Sequence, residues 1–358
     1  MLTVFAPGRT ELAGNHTDHQ KGRVLASAVS MGLTARVEKN SSNKVSVKSA
    51  GYDAFTVNLD SLSAKAEYFG TSKALLTGML SSFKDLGLEI GGFDAEITST
   101  LPSGSGLSSS AAFTVLMGRI LNDLYNGGTI DPVVIARAAQ KSENIFYGKP
   151  CGLMDQIACS VGHCVYVDFS KDEIIPITSD FKSMGLTLCL VNTGGSHADL
   201  SSSYARIPAD MNYIANLFDC AVLSEVNPDD FYSKGWSKED RPVRRAMHFF
   251  GENERVVKMR DALLNKDGEE YMRLMNESGR SSEELLNNII TSATGDTKLA
   301  EGLELSKRLL DGEGAWRVHG GGFAGCVQAL MPSDMFNYYK FEMESQFGKN
   351  SCYEIKTL

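Results

Sequence analysis

The chain has 358 residues, of which 42% are hydrophobic and 22% are charged, and its formal net charge is -9. This balance is typical of a globular protein and excludes a disordered or fibrous design. The negative charge makes nucleic acid and anionic membranes poor partners. Because single domains usually have about 100 to 200 residues, a chain of this length predicts two lobes with a cleft between them.

Short segments with alternating polar and apolar residues dominate the first hundred positions. They lie at 34–37, 44–48, 55–59 and 93–98 and have the period-two pattern of half-exposed strands. Longer stretches with helical periodicity lie at 72–86, 109–124 and 131–147. This part of the chain therefore predicts helices packed on an antiparallel sheet, which is an α+β pattern.

The pattern changes in the second half of the chain. Strand-like runs at 161–169 and 186–191 are followed by helical segments from 204 to about 310. Residues 316–331 are interpreted as loop or strand, and a last helix is expected at 335–347. We place a lobe boundary near 175, which gives lobes at 1–175 and 176–358. No repeat or low-complexity linker separates them, so the lobes should pack together.

Seven cysteines form no C-x-x-C pair and no zinc-binding spacing. They are interpreted as reduced, mostly buried thiols of a cytosolic protein. The first nine residues lack an export signal, and no apolar run of about 18 residues occurs. We therefore expect a cytoplasmic protein.

A glycine-serine segment at 101–112 lies between a strand-like run and a predicted helix. Gly104 and Gly106 permit backbone conformations closed to other residues, and the helix start leaves N–H groups free. Such a turn can bind phosphate groups. The segment lacks the Gly-Lys-Ser/Thr of a Walker A loop and the third glycine of a dinucleotide fingerprint. Taken alone, it also fits an ordinary strand, turn and capped helix.

Three further segments are rich in polar residues or in glycine. Residues 6–20 form a polar string between two apolar runs, and a hydroxyl-rich ligand would satisfy its donors. Residues 148–156 contain Cys-Gly-Leu-Met-Asp-Gln, and residues 318–326 contain three successive glycines. Glycine clusters of this kind mark a close approach of the backbone to another group.

With these motifs in this order, the sequence resembles the GHMP small-molecule kinases, and within them the galactokinases. The three family motifs resemble residues 8–18, 102–112 and 320–326. Residues 151–156 are similar to the segment that carries the catalytic aspartate of galactokinases. The resemblance covers essentially the whole chain. It implies a two-lobed GHMP kinase fold with mixed and antiparallel sheets, and an active site in the cleft between the lobes.

The resemblance also implies ATP as the co-substrate, Mg²⁺ as the metal ion, and roles for individual residues. Arg9 and Asp155 would flank the reacting hydroxyl, while Ser110 and Glu143 would bind Mg²⁺, which prefers hard oxygen ligands. The residues that would line the sugar are Asn15, His16, Asp18, Gly152 and Tyr204. The residues that would hold the phosphates are Gly104, Ser105, Gly106, Leu107, Ser108, Ser109 and Ser110.

The expected reaction transfers a phosphoryl group from ATP to the C1 hydroxyl of galactose. Asp155 can accept the proton of that hydroxyl, and Arg9 can keep Asp155 ionised while it stabilises the moving phosphoryl group. A carboxylate beside a guanidinium is a weaker base than one alone. The sequence therefore leaves open whether Asp155 takes the proton early, or orients the hydroxyl and takes the proton late.

Two positions depart from the family pattern. Typical galactokinases have Glu where this chain has Asn15, and Tyr where it has His19. An amide removes the charge that would repel an acidic sugar, so galacturonate is an alternative substrate, and galactosamine or N-acetylgalactosamine is a further one. Because Asn15 can still bond a neutral hydroxyl, galactose is the first expectation. His319 and His197 are interpreted as lying behind the site or at the surface.

Two other classes of protein compete with the kinase. Some members of this family bind sugar and ATP as regulators of transcription without useful catalysis, but this chain keeps Arg9, Asp155 and Ser110. A dinucleotide-binding oxidoreductase is suggested only by Gly104 and Gly106, and the chain lacks the N-terminal βαβ unit of that class. We expect an enzyme whose partners are a small sugar and ATP, and which is a monomer or a weak homodimer.

Overall fold

The computed structural model of the chain describes residues 1–102, 104–195, 200–290, 295–323 and 325–358. These residues form a larger mixed sheet, a smaller antiparallel sheet and helices that pack against them. The α+β fold class predicted from the sequence is confirmed.

The larger sheet contains seven strands. They are β1 (Leu2–Ala13), β2 (Arg23–Lys39), β3 (Lys44–Ser49), β4 (Phe55–Asn58), β5 (Phe93–Ser99), β6 (Cys164–Asp168) and β7 (Glu173–Ile177). Their order is β4-β3-β5-β2-β6-β7, and β1 pairs with β2. The pair β3–β5 is parallel and the other pairs are antiparallel. Strand β7 spans residue 175, and the lobe boundary proposed there stays a prediction.

Strand β1 was not identified from periodicity. From Ala6 to Ala13 every residue is buried, so the alternation that marks a half-exposed strand is absent. The first half of the polar string at 6–20 is therefore strand, and its second half contains a short 3₁₀ turn at Asp18–Gln20. Polar side chains at the end of β1 thus enter the interior of the protein.

The smaller sheet is antiparallel and contains strands from the second half of the chain. They are β8 (Leu186–Asn192), β9 (Ala315–His319), β10 (Cys326–Pro332) and β11 (Cys352–Glu354), in the order β11-β8-β10-β9. The predicted strand at 186–191 is confirmed. The segment 316–331 is a β-hairpin, and the glycine-rich motif is the connection between its strands.

The helices cover most of the segments predicted from helical periodicity. The expected helix at 131–147 is a shorter α-helix that continues as a π-helical turn at Ser142–Tyr147, and a second π-helical turn lies at Ser282–Leu286. The helices are α1 (Ser72–Asp85), α2 (Ser109–Tyr125), α3 (Pro132–Lys141), α4 (Met154–Val161), α5 (Ser201–Asn216), α6 (Pro228–Ser233), α7 (Arg241–Leu264), α8 (Gly268–Ser281), α9 (Lys298–Leu310) and α10 (Phe336–Phe347).

One hydrophobic core includes residues of both sheets. Leu12 and Leu25, on β1 and β2, are buried in the same cluster as Leu190 on β8, Leu330 on β10 and Tyr271 on α8. Burial of apolar surface is the main favourable contribution to folding. This core therefore fixes β1 against the second sheet, directly beside the polar residues of the N-terminal motif.

We expect the substitution Leu330→Ala to weaken this core. Leu330 is fully buried, and removal of such a side chain lowers the free energy of unfolding by about 2–5 kcal/mol. Urea denaturation followed by circular dichroism measures the change, with the exposed Leu264→Ala as the matched control. Equal effects of the two substitutions would contradict the assignment of Leu330 to a shared core.

Candidate active site

Arg9 lies on β1, where the pairing with β2 shifts register between Pro7 and Arg9. Such irregularities redirect side chains, and here the Arg9 side chain is buried. Its Nε donates to Asp155 Oδ1 over 2.7 Å, and its Nη1 donates to the carbonyl of Gly106 over 2.5 Å. One guanidinium therefore joins the predicted catalytic carboxylate to the predicted phosphate-binding loop.

Asp155 lies in the first turn of α4, where the helix dipole favours a carboxylate. The Ser108 hydroxyl donates to its Oδ2 over 2.5 Å. Burial raises the pKa of Asp155, but the charge of Arg9 and the hydrogen bonds from Arg9 and Ser108 outweigh burial and hold that pKa below its usual value. Asp155 is therefore ionised at neutral pH and oriented by two donors.

The glycine-serine loop reaches α2 through backbone conformations that glycine favours. Gly104 and Gly106 both have φ of 68°, and Ser108 has φ of 55°, which is uncommon for a residue with a side chain. Ser108 precedes α2, yet its hydroxyl bonds Asp155 and does not cap the helix. The first N–H groups of α2 lack intrahelical partners and can therefore bind an anion.

The two predicted magnesium ligands contact each other. Ser110 Oγ donates to Glu143 Oε2 over 3.1 Å, and Gln156 Nε2 donates to the other carboxylate oxygen over 2.9 Å. Glu143 lies in the first π-helical turn, a conformation that is frequent at functional sites. Burial raises the pKa of Glu143, and the charge of Lys149 partly opposes this. Within the described ranges, no group of three His, Cys, Asp or Glu side chains is placed to hold a metal ion.

Three consecutive carbonyls in the connection between β9 and β10, those of residues 320–322, accept hydrogen bonds from predicted sugar residues. Asn15 Nδ2 donates to the carbonyl of Gly320 over 2.6 Å, and His16 Nε2 donates to that of Gly321 over 2.9 Å. The Tyr204 hydroxyl donates to the carbonyl of Gly322 over 2.8 Å. A side chain at Gly321 would lie 2.7 Å from the Tyr204 ring, so glycine is required there. We call residues 320–322 the carbonyl turn.

His16 and His19 form a short hydrogen-bonded chain. Because His16 Nε2 donates to a carbonyl, its Nδ1 is an acceptor, and His19 Nε2 lies 3.4 Å from it. The Gln20 amide reaches the other nitrogen of His19 over 3.4 Å. Burial lowers the pKa of His16 to about 4 and the pKa of His19 to about 3. Both rings are therefore neutral at pH 7 and add no positive charge to the site.

Asp18 and Gly152 are in direct contact. A Cβ added at Gly152 would lie 1.7 Å from Asp18 Oδ2, so only glycine leaves room for this carboxyl group. Asp18 Oδ1 accepts the backbone N–H of His19 over 2.8 Å. Burial and repulsion from Asp155 raise the pKa of Asp18 to about 7, and Arg9 offsets this only in part.

Asn15 is buried and its amide is already bonded within the protein. Besides the carbonyl turn, its Nδ2 lies 3.2 Å from Glu11 Oε1, and its Oδ1 accepts from Asn288 Nδ2 over 3.0 Å and from Ser282 Oγ over 3.3 Å. A direct bond from Asn15 to a sugar hydroxyl would therefore replace one of these contacts. Its role in sugar binding stays a prediction.

A buried ion network lies behind the sugar residues, and its members are not among the residues predicted from the sequence motifs. Arg317 donates to the Glu11 carboxylate over 2.7 Å and to the Glu11 carbonyl over 3.1 Å. Glu252 accepts from the backbone N–H of Gly14 over 3.1 Å. Removing one partner from such a network would leave an uncompensated buried charge. The sequence signal for this network is limited to Arg317, a charged residue between the apolar neighbours Trp316 and Val318.

The remaining predicted residues belong to the glycine-serine loop or lie outside the residues that the structure describes. The Leu107 carbonyl accepts the backbone N–H of Arg9 over 3.1 Å, and the Ser105 carbonyl accepts the Tyr353 hydroxyl over 3.0 Å. Ser109 begins α2. His197 lies outside the described residues. The loop and the catalytic pair are thus joined by direct contacts, and the predicted sugar residues contact the carbonyl turn or one another. Their roles toward ligands stay predictions.

The combined geometry suits transfer between a hydroxyl and a phosphate. Asp155 offers an ionised acceptor, Arg9 offers a cation beside it, and α2 offers unpaired N–H groups next to both. Since Arg9 is buried and Asp155 is partly buried, their electrostatic interaction is stronger than it would be in water. Ser110, in the first turn of α2, and Glu143, which accepts its hydrogen bond, offer oxygen ligands for a cation.

Comparison with known families matches two parts of the chain. The family described as GHMP kinases N terminal domain matches residues 74–163, and the galactokinase galactose-binding signature matches residues 2–39. A galactokinase of Clostridium tetani is 29% identical over 357 residues, covering 98% of this chain and 88% of the relative. A galactokinase of Clostridium acetobutylicum is 30% identical over 364 residues, covering 98% of this chain and 90% of the relative.

Solved structures share the fold. The galactokinase of Lactococcus lactis, solved in complex with galactose, has a TM-score of 0.87 at 22% identity and covers 99% of this chain and 93% of its own. The mevalonate kinase of Methanococcus jannaschii has a TM-score of 0.71 at 16% identity and covers 100% of this chain and 98% of its own. These structures show the fold. The 30% identity to the Clostridium acetobutylicum relative, over nearly the full length of both chains, shows that the chain belongs to the galactokinase family of the GHMP kinases.

Proposed function

We propose that this chain transfers the γ-phosphoryl group of ATP to the C1 hydroxyl of galactose, giving galactose 1-phosphate and ADP. The observation that carries the proposal is the Arg9 guanidinium, which bonds Asp155 and the Gly106 carbonyl at the same time. The clostridial relatives are named galactokinases, and the Lactococcus lactis galactokinase was solved with galactose. Both support galactose as the acceptor.

The sugar would bind beside Asp18, His16 and Tyr204. The Asp18 carboxylate oxygen that faces Gly152 is a strong acceptor for sugar hydroxyls, and the glycine leaves it open. A site built to bond particular hydroxyls rejects an epimer, because a misplaced hydroxyl leaves a buried polar group unpaired. The carbonyl turn would keep His16 and Tyr204 in place while the sugar enters.

Asp155 would accept the hydrogen bond of the C1 hydroxyl and orient its oxygen toward the phosphoryl group. Its lowered pKa makes Asp155 a weak base. This favours proton transfer late in the reaction, when bonding to phosphorus has drawn electron density from the attacking oxygen and made its proton more acidic. Arg9 would stabilise the charge on the moving phosphoryl group. The Ser108 hydroxyl would hold the second carboxylate oxygen in place.

The phosphates would lie against the glycine-serine loop and the start of α2. The donor set at Ser110 and Glu143 fits Mg²⁺, because both are hard oxygen ligands within contact of each other and Mg²⁺ keeps several waters of its own. When bound, Mg²⁺ would neutralise part of the triphosphate charge. The raised pKa of Glu143 reflects a buried carboxylate that a cation would stabilise.

We infer a cytoplasmic location from the cysteines, since all seven are free thiols. None of the helices in the described part of the chain combines the length and apolar character needed to cross a bilayer. The oligomeric state is proposed to be a monomer or a weak homodimer, and analytical ultracentrifugation of the purified chain tests it.

The substitution Asp155→Asn should remove most of the turnover and leave galactose binding nearly unchanged. The amide keeps the shape of the side chain but cannot accept the hydroxyl proton, and such groups contribute about 100- to 10,000-fold to rates. A coupled ADP-release assay measures kcat, and calorimetry measures galactose affinity. The surface substitution Asp53→Asn is the control. A kcat near that of the wild type would remove Asp155 from the mechanism.

The substitution Asp18→Asn should stabilise the protein in a pH-dependent way. The pKa of Asp18 is raised from 3.8 to about 7, so the folded protein binds this proton more tightly than the unfolded chain does. The stability that this proton contributes is present below the unfolded pKa and is lost as the pH rises through about 7. The variant should therefore melt higher than the wild type at about pH 8, with the difference shrinking towards about pH 4.

The same variant should bind galactose about tenfold more weakly at about pH 8, because it loses a charged acceptor. Thermal melting at several pH values and calorimetry with galactose provide the two measurements. A melting difference that does not change with pH would contradict the assignment of a raised pKa to Asp18.

Galactose should be preferred over galacturonate by about 100-fold or more in kcat/KM, a difference of about 2.7 kcal/mol. Asp155 is anionic and Asp18 is ionised above about pH 7, while Arg9 is committed to Asp155 and the two neighbouring histidines are neutral. A second carboxylate would meet repulsion from Asp155 and Asp18, and the cation beside them, Arg9, is already paired. Kinetics with both sugars test this. Comparable values would show that the charge of the site is misassigned, while phosphoryl transfer would stand.

A further inference from the structure

His319 is a buried residue that the proposed reaction does not use. It ends β9, directly before the carbonyl turn, and is 4% exposed. Its Nε2 accepts the backbone N–H of Glu11 over 3.2 Å and lies 3.1 Å from Thr10 Oγ1. Since Thr10 and Glu11 follow Arg9 on β1, this imidazole holds the strand segment that carries the catalytic guanidinium.

The hydrogen bond from Glu11 determines the tautomer of His319. An Nε2 that accepts a backbone N–H carries no proton, so the proton of the neutral ring lies on Nδ1. Burial lowers the pKa of His319 well below its usual value, so the ring is neutral. Its Nδ1 is buried and has no hydrogen-bond partner among the described residues. A buried donor without a partner is costly and calls for an explanation.

The unpaired donor lies against the glycine-serine loop. A Cβ added at Gly106 would lie 3.1 Å from His319 Nδ1, so Gly106 and the imidazole are in close contact. The carbonyl of the same glycine now accepts from Arg9 Nη1. When Arg9 turns an N–H group toward a phosphoryl group, that carbonyl loses its donor, and the unpaired imidazole N–H lies against the same residue.

We propose that His319 is a positioning residue for phosphoryl transfer: its Nε2 fixes the strand of Arg9, and its Nδ1–H takes over the Gly106 carbonyl when Arg9 turns to the phosphoryl group. This inference rests on the proposed function. His319 itself makes no contact with either substrate in this scheme. Its loss should therefore act on kcat and leave the KM for galactose nearly unchanged.

Three substitutions separate the two contacts. His319→Ala removes both contacts. In His319→Gln the longer side chain brings its amide to the position of Nε2, and in His319→Asn the shorter side chain brings its amide to the position of Nδ1. His319→Ala should lower kcat about 10- to 100-fold, the range expected when a catalytic group is displaced by about 1 Å. His319→Gln and His319→Asn should each recover part of that loss. The exposed His163→Ala is the matched control.

The measurements are kcat and KM for galactose and for ATP, with thermal melting to confirm that each variant is folded. The proposal is wrong if His319→Ala keeps kcat within about twofold of the wild type, or if its loss lies only in the KM for galactose. It is also wrong if Gln and Asn are no better than Ala, because the ring would then only fill space. A wild-type chain that does not phosphorylate galactose would instead contradict the proposed function.

Discussion

The ion pair between the buried Arg9 and the partly buried Asp155 determines the geometry of the whole site. It connects the first strand of the protein to the first turn of α4, two elements separated by 146 positions in the sequence. A largely buried pair of this kind is costly to desolvate and is retained when each charge has further partners. Here Ser108 bonds the carboxylate and Gly106 bonds the guanidinium. The loop therefore cannot move freely without disturbing both charges.

The smaller sheet supports this arrangement from behind. Arg317 and Gln328, on β9 and β10, both donate to the Glu11 carbonyl, and His319 accepts the N–H of the same residue. Both backbone groups of one residue on β1 are thus satisfied by side chains of the second sheet. Since Glu11 lies two positions after Arg9, the second sheet holds the strand segment that carries the catalytic guanidinium.

Part of this site could be predicted from the sequence, because its motifs are local. The glycines of the loop, Arg9 and Asp155 each lie in a short recognisable string, and the helices α1 and α2 have clear periodicity. The strand β1 could not be found this way, because burial on both of its faces removes the alternation.

Other contacts join residues that are far apart in the sequence, and a local sequence pattern cannot predict them. The Ser108 bond to Asp155 requires a left-handed backbone at a serine, and the pair formed by Glu11 and Arg317 spans 306 positions. In the same way, Asn288 reaches Asn15 only because two distant segments meet in the fold. Such residues look like ordinary polar positions until the topology brings them together.

The carbonyl turn has a consequence for how recognition diverges among related enzymes. Its three acceptors are main-chain oxygens, which every amino acid possesses, so no mutation at these positions deletes them as long as the backbone keeps its path. The partners at Asn15, His16 and Tyr204 can then change one at a time, each against an anchor that stays constant. Sugar specificity can in this way change during evolution while the phosphate-binding residues stay the same.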